Sequence, residues 1–351
     1  MCQAEADATL RDAATRDNAD LWFEHKRPCV WCSANLPPFF LILGLMWGTS
    51  CSAQSVQKRE LPGDFESAAT IVHDYPGILP DITYRTANNT DLKLDLYVPQ
   101  GAHGPKPTLM FIHGGGWMSG YTKETFQTLF LPFLSLNWVV VNVDYRPSGV
   151  ALAPAAVEDC LCAMRWISRN AAKYGIDIKQ LVIMGNSAGG HLALTTGMIP
   201  LSSSGLGAPC TEDDGDSVRT RNGYIKPAAI VNWYGITDVA DVLEGTNQQS
   251  WAVMWLGNQP DRIQIANSVS PINYIHPGLP PIITVHGDHD DGVPYSQAVR
   301  LHAALTKAGV KNKLVTIKGG GHGNFDLPAT RDAYVQIFDF LSRAGVSVQP
   351  E

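Results

Sequence analysis

One serine in this sequence sits in a setting suited to nucleophilic attack. Gly185-Asn186-Ser187-Ala188-Gly189 directly follows the apolar run Leu181-Val182-Ile183-Met184 and directly precedes His191-Leu192-Ala193-Leu194. Between a buried strand and a helix, Gly-x-Ser-x-Gly describes a sharp turn. Gly185 and Gly189 supply the backbone angles and close approaches that a Cβ would block. The turn lifts the Ser187 hydroxyl over the carboxyl ends of the strands and sets it at a helix N-terminus. Free amides and a positive dipole end favour a developing anion there. A second cluster, Phe111-Ile112-His113-Gly114-Gly115-Gly116-Trp117, closes another buried strand. Consecutive glycines expose N–H groups and let a carbonyl approach closely, which is what an oxyanion hole requires. Gly115 and Gly116 are the candidate donors from this loop and the Ala188 amide is the other arm. His113, Gly114 and Trp117 shape the loop.

A serine hydroxyl is a poor nucleophile at neutral pH, so it needs a base within hydrogen-bond reach and a group to orient that base. Of the ten histidines, His322 lies in Lys318-Gly319-Gly320-Gly321-His322-Gly323, a glycine-rich loop between the last predicted strand and the last helix. His113 braces the oxyanion loop and His191 points back into the helix after the nucleophile. His286, His289 and His302 read as surface or packing residues. The acid comes from His286-Gly287-Asp288-His289-Asp290-Asp291-Gly292-Val293-Pro294, just past a strand end. Asp288 suits the turn and Asp290 suits the reach to His322, with Asp288 and Asp291 as alternatives for the acid. A metal site from Asp288, His289 and Asp290 is disfavoured because consecutive residues seldom converge on one ion. Asp213, Asp214 and Asp216 miss the calcium-loop spacing and read as a solvated turn. No metal or organic cofactor is expected.

The elements that must position these groups follow from periodicity. Leu92, Leu94 and Leu96 alternate with Lys93, Asp95 and Tyr97 beside an Asn88-Asn89 turn, which predicts an antiparallel hairpin with one wet face at a sheet edge. Beyond it, continuous apolar runs at 108–112, 138–143, 181–184, 229–233, 282–285 and 314–317 predict strands buried on both faces. Helical periodicity covers 121–135, 154–174, 188–198, 295–308 and 330–344. Alternating strands and helices imply an α/β fold, a mostly parallel central sheet with helices on both faces. Residues 200–226, rich in Ser, Gly and Asp, have no clear period and read as an excursion over the sheet's edge.

The 351 residues, 45% hydrophobic and 17% charged, suit a globular protein with a sizeable core. A net charge of −7 without a basic stripe argues against nucleic acid and anionic membranes as partners. Lys26 and Arg27 precede the apolar stretch Phe39–Trp47, and small residues follow up to Cys51-Ser52-Ala53. This predicts a secretory signal peptide cleaved after Ala53 rather than a transmembrane helix, hence a secreted or periplasmic protein. Cys51 offers lipid attachment as the alternative. The expected organisation is an N-terminal extension and signal peptide at 1–53, a linker at 54–79 and a catalytic domain at 80–351. Cleavage would leave Cys160, Cys162 and Cys210. Cys160 falls on an apolar helix stripe, and Cys162 and Cys210 could pair in an oxidising compartment.

The chain order Ser187, Asp290, His322 is that of the α/β-hydrolase fold. Together with His113–Trp117, Asp144-Tyr145-Arg146-Pro147, Pro154–Asp159, Gly185–Gly190, His286–Pro294 and His322-Gly323, the sequence resembles hormone-sensitive-lipase-like, feruloyl and acetyl-xylan esterases over residues 80–345. The resemblance implies hydrolysis of a small ester or an esterified polysaccharide through an acyl-enzyme. A peptidase or amidase of the same fold is the alternative; a binding protein on this scaffold would be expected to lose a triad member. Gly149-Val150-Ala151-Leu152-Ala153 is shorter and more apolar than the family's usual tract, and no long amino-terminal cap is evident, which argues against bulky lipid substrates. The polar segment Leu201–Gly223 would not line a greasy groove as a lid. Trp117, Trp233, Tyr234, Trp251 and Trp255 are candidate flat faces for a sugar or aryl ring, with core packing as their alternative.

Overall fold

The computed structural model describes residues 75–101, 104–200, 205–210 and 225–348. The predicted leader, Cys51 and the aspartates of 213–216 lie outside the described residues. Strand β1 (Ile78–Ala87) turns into β2 (Thr90–Tyr97) through Asn88 and Asn89, at φ 51° and 59°. Paired left-handed residues match the twist of a tight hairpin, and asparagine tolerates them. β2 runs antiparallel to β4 (Val139–Val143), and from there the sheet is parallel. Strands β3 (Lys106–Ile112), β5 (Ile176–Asn186), β6 (Ala229–Trp233), β7 (Ile282–Gly287) and β8 (Asn312–Ile317) complete the order β1-β2-β4-β3-β5-β6-β7-β8.

Every residue of β3, β4, β6 and β7 is buried, so their sequences are unbroken apolar runs rather than alternations. Alternate side chains still part to two faces. Met110, Ile112, Val141, Ile183 and Ile230 join one core with α2 (Ala155–Tyr174), α3 (Ala188–Met198) and α7 (Tyr295–Lys307). On the other face, Phe133 of the short α1 (Leu131–Leu134) meets Phe338 of α8 (Leu327–Arg343) at 5.2 Å, and Trp233 meets Tyr334 at 5.1 Å. Three short helices, α4 (Val239–Leu243), α5 (Ser250–Leu256) and α6 (Arg262–Ser268), cross between β6 and β7.

Two expectations are corrected. No continuous helix spans 121–135. Phe126 is left-handed at φ 65°, and a single 3₁₀ turn leads into α1. The Lys123 amide donates to Asp144 and its carbonyl accepts from Asn142 at 2.6 Å, so this backbone bonds to the end of β4 instead of to its own next turn. That tie also covers the second face of the hairpin, which is therefore not wet at Asp95 and Tyr97. Tyr97 packs on Phe130 at 5.3 Å, and buried Asp95 faces Lys123 Nζ at 3.2 Å. A buried carboxylate requires such a partner.

Cys160 is a buried thiol of α2, and Cys162 is joined by a disulfide to Cys210. Residues 205–210 of the 200–226 excursion are thereby fixed to α2. Among the described residues, no helix is long and apolar enough to cross a membrane.

Candidate active site

Ser187 occupies the turn between β5 and α3 at φ 53°, ψ −121°, a sparsely populated conformation that costs about 1–3 kcal/mol. Hydrogen bonds on either side hold it there. Its amide donates to Trp233 O at 2.8 Å, and its carbonyl accepts from His191 N at 3.0 Å. The flanking glycines are demanded by crowding. A Cβ on Gly185 would lie 2.2 Å from Gly189 O, and one on Gly189 would lie 2.1 Å from Ile112 O. The elbow is thus packed directly against the end of β3, which is where the oxyanion loop begins.

The Ser187 hydroxyl is 2.8 Å from His322 Nε2, and His322 Nδ1 is 2.9 Å from Asp290 Oδ2. Asp290 can only accept, so Nδ1 carries the ring proton and Nε2 is free to receive the serine's. The Asp290 side chain is fully buried, and its Oδ1 accepts the amides of Gly292 and Val293, each at 2.8 Å. Burial by itself would raise this carboxyl's pKa. The contacts with His286 and His322 and the Val293 amide outweigh it and hold the group well below the usual carboxylate range. Asp288 accepts the Gly319 amide at 2.6 Å, the turn role expected of it, and exposed His289 stands beside it at 3.1 Å. Asp291 is exposed. Of the three carboxylates, Asp290 is the one that meets His322.

Beside the serine, the amides of Gly115, Gly116 and Ala188 have no protein acceptor among the described residues. Gly115 and Gly116 have φ of 111° and 62°, left-handed backbone that glycine adopts without a Cβ penalty. Tyr121 lies against Gly115, where a Cβ would fall 2.2 Å from its ring, and a Cβ on Gly116 would lie 3.1 Å from Trp251 Cβ and 3.4 Å from Met118 Cε. The loop is braced from behind. His113 stacks on Tyr145 at 4.4 Å, and the Tyr145 hydroxyl donates to His113 O at 3.1 Å. Arg146 forms a buried two-point pair with Asp159 at 2.7 and 2.8 Å, which fastens this segment to α2.

The roles of three supporting groups escaped the sequence reading. Asn186 Oδ1 accepts the Gly114 amide at 3.0 Å, tying the nucleophile turn to the oxyanion loop. Tyr234 sets its ring edge against His322 at 4.9 Å, and its hydroxyl meets Asn186; burial pushes its pKa up to about 12. His286, expected to be a surface or packing residue, is fully buried with Nε2 3.0 Å from Asp290 Oδ2. Three of the candidate ring-binding aromatics are core instead. Trp117 stacks on Trp255 at 3.9 Å, and these two and Trp233 are at most 1% exposed. Their indoles fill space under the loops, while Trp251 stays half-buried at the site.

A mostly parallel sheet, a strand-to-helix serine turn and a triad in the chain order Ser187, Asp290, His322 define the α/β-hydrolase fold with a serine-hydrolase site. Its BD-FAE family model matches residues 94–305, and the chain belongs to that family. The match includes Ser187 and Asp290 and ends before His322. Esterase LipQ of Mycobacterium tuberculosis (strain ATCC 25618 / H37Rv) is 28% identical over 76% of the chain, which spans 62% of LipQ's length. Carboxylesterase NlhH of the same species is 30% identical over 77% of the chain and 85% of its own length. A truncated carbohydrate esterase from gut microbiota is 26% identical, with a TM-score of 0.60 over 76% of this chain and 97% of that one.

Proposed function

We propose that the chain is a serine carboxylesterase acting on short-acyl esters, with acetyl groups on plant polysaccharide as the leading substrate and feruloyl esters second. The observation that carries this reading is the 2.8 Å contact of Ser187 Oγ with His322 Nε2, backed by Asp290 and flanked by amides that have no acceptor among the described residues. His322 takes the proton of Ser187 as Oγ attacks the ester carbonyl, and the carbonyl oxygen becomes an oxyanion held by the amides of Gly115 or Gly116 and Ala188. Each such donor is typically worth ~3 kcal/mol in the transition state. Protonated His322 then gives its proton to the leaving alkoxide. Water, deprotonated by the same imidazole, attacks the acyl-enzyme, and the acid leaves as Ser187 regains its proton.

Tyr121, Met118 and Trp251 stand beside the oxyanion glycines, and in this reading their bulk leaves room for a short acyl group. Of the candidate ring faces, buried Tyr234 drops out and half-buried Trp251 is left for a sugar ring, with partly exposed Tyr121, which the sequence did not single out, as a second flat face. The likeness to a carbohydrate esterase supports a carbohydrate-borne ester. Export to an oxidising compartment, with a leader cleaved after Ala53 or a lipid on Cys51, belongs to the same reading and is supported by the Cys162–Cys210 disulfide.

A panel of p-nitrophenyl esters together with acetylated xylan and methyl ferulate tests the proposal. Acetate or butyrate should exceed palmitate by at least ~100-fold in kcat/KM, equivalent to ~2.7 kcal/mol of differential transition-state binding. Equal or faster turnover of the palmitate contradicts it.

A further inference from the structure

The catalytic chain does not end at Asp290. His286 sits at the end of β7, four residues before the aspartate, with its side chain fully buried. Its Nε2 is 3.0 Å from Asp290 Oδ2 and 3.0 Å from Val293 O. Both neighbours are acceptors, so the ring hydrogen is on Nε2. Nδ1 is buried and makes no hydrogen bond among the described residues, which fits that tautomer. The Tyr295 ring stands edge-on to the imidazole at 5.6 Å.

The bond to Val293 O matters as much as the approach to Asp290. Val293 and Gly292 are the residues whose amides hold Asp290 Oδ1. One imidazole N–H therefore fixes the turn that grips one carboxylate oxygen and faces the other. From the remaining side come His322 and, farther off, the Tyr234 hydroxyl; these and Tyr295 are the other titratable side chains around the pair.

We infer that His286 is a positioning residue, which holds the Asp290 carboxylate in register with His322 and sets how much negative charge it presents to the imidazolium. The inference rests on the esterase reading for its rate consequence only. Replacing the N–H by an apolar ring leaves Asp290 held by its two backbone amides, but with Oδ2 less compensated. His322 should then become more basic, and the carboxylate less sharply oriented.

The test compares the parent with His286→Phe, which keeps the ring and loses the donor, and His286→Gln, whose side-chain amide can restore a donor near Nε2. Titration of His322 is followed by NMR, with kcat and KM for p-nitrophenyl acetate measured across pH. In His286→Phe, the His322 midpoint and the acidic limb of kcat/KM should rise by about half a pH unit. Its kcat should fall about tenfold at nearly constant KM, the worth of one hydrogen bond to a charged group. His286→Gln should recover most of both. Parental titration and kcat in His286→Phe overturn the inference. So does equal damage in both variants with a matching loss of melting temperature, since that describes mere packing. If the parent proves inactive towards esters, the esterase reading fails while the NMR titration still decides the role of His286.

Discussion

Asn186 Oδ1 accepts the amide of Gly114 at 3.0 Å, so the residue before the nucleophile holds the first glycine of the oxyanion loop. The fit is close, because a Cβ on Gly114 would lie 2.7 Å from the Asn186 amide nitrogen. The two arms of the site are thereby set relative to each other by one buried side chain.

Asn186→Ala should therefore lower kcat more than it raises KM, by about tenfold, through a loosened oxyanion loop. The Gly114 amide would be left without its acceptor, at a cost of about 1–3 kcal/mol of stability. Steady-state kinetics and chemical denaturation check both. An unchanged kcat would mean that the loop holds its geometry without Asn186.

Asp290→Asn should depress kcat by about 10⁴, because an amide stabilises neither the tautomer nor the imidazolium that His322 needs. Asp288→Asn weakens the bond to the Gly319 amide and the contact with exposed His289, neither of which touches His322, and should stay within a few-fold of the parent. Circular dichroism should match the parent in each. A more damaging Asp288→Asn would reassign the acid.

The difference between these aspartates shows what the sequence could and could not convey. Strand ends and glycine clusters announced Ser187, His322 and the oxyanion loop, because their geometry is local and needs particular residues at fixed spacing. Asp290 could be favoured over Asp288 only by its place in the loop. His286, Asn186 and Tyr234 gave no comparable signal, since each matters through a neighbour brought by the β5-β6-β7 order. Residues 121–135 misled for the opposite reason. Their apolar spacing is real, but Phe126, Phe130 and Phe133 belong to a turn, a 3₁₀ segment and a four-residue helix. Trp117, Trp233 and Trp255 are flat and sit near the strand ends, as expected of ring-binding faces, yet they are buried beneath the loops.

His191 makes stability depend on pH. Burial pushes its pKa from 6.5 down to about 4, against the bond to the Val269 carbonyl, which raises it. Between those pH values the unfolded chain takes up a proton that the native imidazole refuses, so stability falls as pH falls through this window. The full shift corresponds to about 3 kcal/mol. His191→Leu should flatten this part of the profile in denaturation curves at pH 7 and pH 4. A parental slope in the variant would place the dependence on other groups.

The Cys162–Cys210 bond closes a loop with a sequence separation of 48. Constraint of the unfolded chain by a loop of that length is worth about 4 kcal/mol. The double variant Cys162→Ser/Cys210→Ser should therefore melt well below the oxidised parent, while its kcat on p-nitrophenyl acetate stays close, because the bond lies on α2 and away from Ser187. An equal melting temperature with and without reductant in the parent would show that the bond contributes nothing.

The most direct measurement is the site of covalent capture by an organophosphonate. Mass spectrometry of the inhibited protein should place a single adduct on Ser187, at one per chain and in step with lost esterase activity. Ser187→Ala should take up no label while keeping its melting temperature within a few degrees, since the hydroxyl stands at a turn and leaves no core cavity. An adduct on any other residue, or labelling retained by Ser187→Ala, would contradict the assignment of Ser187 as the nucleophile.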